Sequence, residues 1–290
     1  MGVFADSRCL LCQLERNVLT ARKLGTEEQT TAFAKDLMRH LLDAPEGVSA
    51  PYFTPGVAKL FQKHYGLSLD RFAEEKKQSN AFVLERMDAI REKIVGSSDP
   101  VLTGLKFAIL GNYIDFAALR DEVSFDRLDA MLDKALEMEL DEGNYLSLCR
   151  ELEKGKNLLY LTDNAGEIGF DRLFAEAIAA KYPHLEITFC VRGGPAANDA
   201  TREDALEVGI PFPVIDNGNL IPGTCLDQLS EAAKYAMDTA DVIISKGQGN
   251  AETLLGCGYP IFYAFLIKCQ IFIDRFQKPK LTPMLVKERN

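Results

Sequence analysis

Histidine is scarce in this 290-residue chain: His40, His64 and His184 are the only three, and they share no local spacing. A zinc site built on histidine or a Ser-His-Asp triad therefore finds little support, and each histidine is expected at the surface or in a structural role. No apolar run reaches the roughly 18 residues a membrane-spanning helix needs. The opening stretch MGVFADSRCLLCQLERN sets Asp, Arg and Glu among its apolar positions, unlike a signal peptide. No Lys/Arg cluster offsets the balance of 33 basic against 43 acidic residues, a net charge of −10. That field repels phosphate backbones and argues against a nucleic-acid partner, although a local positive pocket can still hold a small anion. Internal repeats and low-complexity segments are missing as well. The seven cysteines are an odd number without a signal, which points to free thiols in a reducing cytoplasm.

What remains is an ordinary globular composition, 47% hydrophobic and 26% charged. The length exceeds one average domain of about 150 residues. Residues 1–153 read as successive helices. Leu10, Leu11, Leu14 and Val18 suggest one apolar face, and Phe33, Leu37 and Leu41 another. Asp70 is placed to cap a long helix running through Phe72, Phe82, Met87, Ile90 and Ile94. Pro100 opens a helix across 105–119, and further helices are expected near 125–140 and 143–152. At Lys156 the rhythm changes. Short apolar runs at 157–162, 186–191, 212–215, 241–245 and 260–265 alternate with helical stretches such as 170–181 and 226–239. Alternation of this kind predicts βαβ units and a mostly parallel sheet. The expected architecture is an α/β, Rossmann-like three-layer core over 154–290, carrying an all-helical N-terminal subdomain over 1–153.

Ligands of open parallel sheets bind at the carboxyl ends of strands, and three such ends carry unusual polar sequences. After the first comes Thr162-Asp163-Asn164-Ala165-Gly166-Glu167, whose Asp and Asn offer adjacent oxygen ligands ahead of a helix N-terminus. The same residues also suit a plain cap and turn. After the second comes Arg192-Gly-Gly-Pro-Ala-Ala-Asn198-Asp199-Ala-Thr201. Asp199 would complete an oxygen-only set suited to Mg²⁺ or Mn²⁺. Asn198 and Thr201 would either bond substrate or cap the next helix, and Gly-Gly-Pro reads as a bend. After the third comes Ser245-Lys246-Gly247-Gln248-Gly249-Asn250, which resembles a phosphate cradle of one point charge and several backbone N–H groups. It lacks the order of a P-loop and would also serve as a helix entry.

Weaker candidates lie in the helical half. Gly111-Asn112-Tyr113-Ile114-Asp115 places Asn112 and Asp115 on one helical face at i,i+3, as a wall of the site or a buried structural bond. Cys9 and Cys12 form Cys-x-x-Cys on an apolar face, where packed thiols are expected in preference to a metal or redox pair. Glu74-Glu75-Lys76-Lys77 reads as a solvated helix face.

Asp163-Asn164-x-Gly-Glu167, Asn198-Asp199-x-Thr201 and Lys246-Gly-Gln-Gly-Asn250, in this order, resemble the damage-control phosphatase family, also called acidic-residue-methyltransferase-like. Cys9-x-x-Cys12, Asp70 with Lys76 and Asn80, and Gly111-Asn112-x-x-Asp115 extend the likeness over nearly the whole chain, closest to its stand-alone prokaryotic branch. Arg71 after Asp70 departs from the Pro found in many relatives. The resemblance implies a divalent-metal-dependent phosphatase acting on small phosphorylated metabolites, such as sugar phosphates or damaged cofactor precursors. Asp163, Asn164 and Asp199 match its metal ligands, with Mg²⁺ or Mn²⁺ expected and Co²⁺ or Ni²⁺ acceptable. Glu167 and the 246–250 loop match positions around the substrate, with Asp163 and Lys246 as the catalytic pair. Either a metal-activated water or an aspartyl-phosphate intermediate would fit. The competing readings are an S-adenosylmethionine-dependent carboxyl methyltransferase and a non-catalytic binder of phosphometabolites. The end of the first core strand, Asp-Asn-Ala-Gly, and that of the second, Val191-Arg192, suit the methyltransferase poorly.

Overall fold

The sheet begins where the sequence changes rhythm. In the computed structural model, which describes residues 3–119 and 122–288, the strands are β1 (Asn157–Leu161), β2 (Glu186–Val191), β3 (Val214–Asp216), β4 (Val242–Lys246), β5 (Ile261–Leu266) and β6 (Pro283–Lys287). Their order is β3-β2-β1-β4-β5-β6. All neighbours pair in parallel except β6, which runs antiparallel to β5. Every residue of β4 and β5 is buried, as expected of central strands covered on both faces. The chain passes from β1 outward to β2 on one side and later returns to β4 on the other. The carboxyl ends of β1 and β4 therefore flank a topological switch point, the usual place for a ligand in such sheets.

Among the described residues eight α-helices precede the sheet: α1 (Ser7–Arg22), α2 (Glu27–Leu42), α3 (Thr54–Tyr65), α4 (Ala73–Leu84), α5 (Met87–Val95), α6 (Pro100–Gly111), α7 (Phe125–Asp133) and α8 (Glu142–Lys154). The rest are α9 (Glu167–Lys181), α10 (Arg202–Glu207), α11 (Glu231–Thr239), α12 (Gln248–Leu254) and α13 (Gln270–Phe276). Helices cover both faces of the sheet. On one face Leu158, Tyr160, Val242 and Ile244 meet Leu105, Ala108, Phe170 and Phe174 of α6 and α9. On the other, Leu159, Leu161, Ile243 and Tyr263 meet Ala233, Met237, Leu254 and Phe272. The first apolar cluster runs from Phe82 to Leu285 without interruption at residue 153. Gly104 permits this packing, because a Cβ there would lie 3.0 Å from the Cα of Phe174. The first three helices keep a separate core of Ala21, Phe33, Leu37, Phe53, Val57 and Phe61. No helix among the described residues is long and apolar enough to cross a membrane.

Several elements differ from expectation. The single helix from Asp70 to Ile94 is two, α4 and α5. Arg86 ends the first by donating to the carbonyl of Phe82, stacking on its ring and gripping Asp129. Phe72, not Asp70, precedes the first turn. The helix opened by Pro100 stops at Gly111, and 226–239 is helical only from Glu231, after a short turn of 3-10 helix at Leu226–Gln228. On α1, Leu14 and Val18 pack inward but Leu11 remains 65% exposed, and the buried positions are Gln13, Asn17 and Ala21. Strand β6 lies outside the five expected runs. Only Leu285 in it is fully buried, and its leading proline suits an edge strand.

Candidate active site

Two loops leaving adjacent strands are laced together at the carboxyl edge. The N–H of Ala165 donates to the carbonyl of Asn198 at 2.9 Å, and that of Ala200 to the carbonyl of Asp163 at 2.7 Å. Asn164 and Asp199 form an isolated antiparallel bridge. The lacing sets Asp163, Asn164 and Asp199, all buried, side by side. A third loop closes on them from β4. Gly247 (φ +78°) passes so near that a Cβ there would sit 1.9 Å from Oδ2 of Asp163.

Amides hold Asp163 and Glu167 in place. Asn112 Nδ2 donates to Asp163 Oδ2 and to Glu167 Oε2, each at 2.9 Å, and Asn164 Nδ2 donates to the same two oxygens at 2.8 Å. Asn198 Nδ2 donates to Asn164 Oδ1 at 2.9 Å, while its own Oδ1 accepts from the backbone of Ala117. Arg192 is buried beneath them, with Nε 2.6 Å from Asp199 Oδ2 and Nη2 3.6 Å from Asp163 Oδ1. Burial raises the Asp163 carboxyl well above the usual range, and the charges of Asp199 and Glu167 add to the rise. Burial likewise lifts Asp199 to about 7, against the pull of Arg192. Two acids so placed resist ionising together and favour a cation between them.

A cavity of about 340 Å³ opens over this floor, lined among others by Asp163, Asn164, Asp199, Asp115, Gln248 and Lys268. Lys268 Nζ is fixed by Asp115 Oδ2 at 2.7 Å, and its backbone N–H donates to Gln248 Oε1. Gly249 also lines the cavity, whereas Asn250 is turned inward to the carbonyls of Thr162 and Lys246 and to Thr224.

The expectation for Lys246 is corrected. Its side chain is fully buried, and Nζ donates to Glu167 Oε1 (2.7 Å), Asp171 Oδ1 (2.7 Å) and the carbonyl of Ala108 (2.8 Å). All three ammonium donors are spent beneath the site, and none is left for a phosphate. Glu167 is also fully buried in this network and does not face the cavity. Asn112 and Asp115 do not share a helical face, because α6 ends before them and Asn112 is its C-cap. Both reach the site all the same. Cys9 and Cys12 line the cavity instead of packing in a core, and Cys12 is exposed. Lys76 is no solvated side chain: it pairs with Asp204 at 2.7 Å in the interior. Asn80 accepts from the N–H of Gly166 at 2.7 Å and donates to Asp204, so α4 clips both loops. Thr201 caps α10. Arg192 opens the second strand-end motif without a role read from the sequence, and Lys268 is not singled out there, although it follows the end of β5, where the same rule would look.

Residues 5–281 match the family described as the Damage-control phosphatase ARMT1-like domain. The chain belongs to that family. It is 34% identical over 214 residues to the damage-control phosphatase PH1575 of Pyrococcus horikoshii, covering 73% of this chain and 72% of the relative. A damage-control phosphatase of Archaeoglobus fulgidus is 33% identical over 205 residues, 69% of this chain and 70% of the relative. The uncharacterized protein MJ0202 of Methanocaldococcus jannaschii is 31% identical over 275 residues, 90% of this chain and 88% of its own. In three dimensions the chain is similar to the crystal structure of a DUF89 family protein from Pyrococcus horikoshii, with a TM-score of 0.83, 27% identity and 99% of each chain covered. Within this family member the laced loops, the arginine under them and the cavity above form one continuous unit.

Among the described residues no group of three His, Cys, Asp or Glu side chains stands ready to hold a metal. The donor set offered instead is mixed, two carboxylates and one amide. Oxygen donors of this sort suit a hard divalent cation that keeps part of its water shell. The raised carboxyls of Asp163 and Asp199 fit a position meant for positive charge.

Proposed function

We propose that this protein is a divalent-metal-dependent phosphatase that hydrolyses phosphomonoesters of small metabolites, sugar phosphates or damaged phosphometabolites. The observation that carries the reading is the buried pair Asp163 and Asp199, laced together with Asn164 at the switch point of the sheet. A phosphate monoester resists attack because its negative charge repels nucleophiles, and an acidic site can approach it only through a cation. Asp163, Asn164 and Asp199 would hold Mg²⁺ or Mn²⁺, with Co²⁺ or Ni²⁺ as substitutes. The ion would supply charge neutralisation and a more acidic bound water.

The chain's own residues do the remaining work. Lys268, anchored by Asp115, presents a positive charge in the cavity for the phosphoryl oxygens. Gln248 and Gly249 line the wall beside it. Asn112 and Asn164 hold Asp163, Asn198 holds Asn164, and Arg192 holds Asp199. Glu167 and Lys246 act as positioning residues beneath. Against the methyltransferase alternative, β2 is followed by Arg192, turned to Asp199, where that cofactor would ask for an acid. The seven free thiols suit a reducing cytoplasm.

The test is hydrolysis of phenyl phosphate with Mg²⁺, Mn²⁺, Co²⁺ or Ni²⁺ and with a chelator. Activity should need the metal and be lost in Asp163→Ala. Mn²⁺ should raise the melting temperature of the native protein but not of Asp199→Ala. Metal-independent turnover, or an unchanged melting shift in Asp199→Ala, would overturn the reading.

A further inference from the structure

Helix α1 turns a polar stripe toward the cavity. Cys9, Cys12, Gln13 and Arg16, spaced at i, i+3, i+4 and i+7, share one helical face and line the same space as Asp163 and Asp199. Their neighbours account for every other cation there. Arg8 is spent on Asp6 and Asp274, and Lys268, anchored by Asp115, is already assigned to the transferred phosphoryl group. Gln13 accepts from Asn17 through Oε1. Arg16 differs. It is half-buried, and among the described residues its guanidinium makes no ion pair or hydrogen bond. Its charge acts on Glu252, whose Oε1 already accepts from Gln248 Nε2 at 2.7 Å.

An arginine drawn from water with its donors unspent is a fork awaiting a planar or tetrahedral oxyanion. It stands on α1, whereas the scissile phosphoryl group would be received by the strand-end loops. A cavity of about 340 Å³ also has more room than one phosphoryl group fills, and Ala50, Pro51 and Ile271 give it apolar walls for a short carbon body.

The geometry points to a second anion subsite at Arg16, so that the preferred substrate is a phosphomonoester carrying another oxyanion, a carboxylate or a second phosphate, on its leaving group. This rests on the phosphatase reading and adds the substrate class to it.

Three aryl esters test it in the Mn²⁺-loaded protein: phenyl phosphate, 4-carboxyphenyl phosphate and 4-(phosphonomethyl)phenyl phosphate. In Arg16→Gln, kcat/KM should fall by roughly tenfold or more on an ester with the second anion, the loss expected for one charged hydrogen-bonded contact. It should stay unchanged on phenyl phosphate, and Arg16→Lys should recover part of the loss. The ester that suffers more identifies carboxylate or phosphate as the better fit. An equal fall on all three would put Arg16 on the transferred phosphoryl group and overturn the subsite, as would no fall on any. Calorimetry with the non-hydrolysable phenylphosphonate and 4-carboxyphenylphosphonate separates the two claims. If no ester is turned over but the carboxylated ligand binds more tightly, and only while Arg16 is present, the subsite stands and the phosphatase reading fails. If neither ligand is preferred, the subsite fails.

Discussion

Gly247 is the position with least freedom in the site. Its φ of +78° disfavours any side chain, and a Cβ would fall 1.9 Å from Asp163 Oδ2. Gly247→Ala must move the loop or the acid. The strained backbone alone costs roughly 1–3 kcal/mol. The expected outcome is a lower melting temperature together with loss of the Mn²⁺-induced shift; a variant that kept the full shift would show that the loop does not seat Asp163. Glu252 gives a different test at the same scale. Burial raises its carboxyl to about 7, so the folded protein holds that proton over a range where the unfolded chain releases it. Its contribution to stability is complete below about pH 4.3, the ordinary glutamate value, and is lost as pH rises through about 7. Melting temperatures from pH 4.5 to 8 should therefore decline more in the native protein than in Glu252→Gln. Parallel curves would remove Glu252 as the source.

At the scale of elements, Lys246 is the bolt between strand and helices. It leaves the last residue of β4 and ties Glu167 and Asp171 of α9 to the carbonyl of Ala108 in α6. Tyr160 of β1 closes the far end on Asp171. Removing one partner of a buried ion pair costs about 3–5 kcal/mol, because the other charge stays behind. Lys246→Met should lower the urea midpoint accordingly, and adding Glu167→Gln and Asp171→Asn should recover part of the loss. A Lys246→Met midpoint equal to the native one would refute the bolt. The sequence carried a sign of this role. Alternation along β4 puts Lys246 on the face of Val242 and Ile244, which lies under α6 and α9, and so away from the cavity. The strands themselves were legible to within two residues at their starts, because central parallel strands are continuous apolar runs between turn residues. β6 was not, since its apolar run is only Met284-Leu285-Val286. The acids and amides after β1 and β2 were legible from strand-end logic. Arg192, Lys268 and Arg16 were not, because their meaning depends on which neighbours spend their donors, and only three-dimensional packing shows that.

The molecule as a whole divides elsewhere than at the change from helix to strand. The large apolar cluster joins Phe82, Leu105 and Leu148 to Phe189, Phe262 and Leu285, so α4–α8 are one layer of the sheet's own core. Residues 154–290 alone would keep only α9 on one face of β1, β2, β4 and β5 and open the part that α4–α8 cover to water. That fragment should bind a hydrophobic dye and melt without a cooperative transition. The first three helices are another matter, with a core of their own. They meet the rest through modest contacts, among them the N–H of Val3 on the carbonyl of Glu252 and Arg8 on Asp274. A chain of residues 70–290 should therefore keep a cooperative melt and its Mn²⁺ shift while losing the wall that carries Cys9, Cys12 and Arg16. Discrimination in favour of esters with a second anionic group should disappear in it, with phenyl phosphate still hydrolysed. Failure of 70–290 to melt cooperatively would show that the first helices complete the core. Retained discrimination would place the selective contact on the sheet side of the cavity.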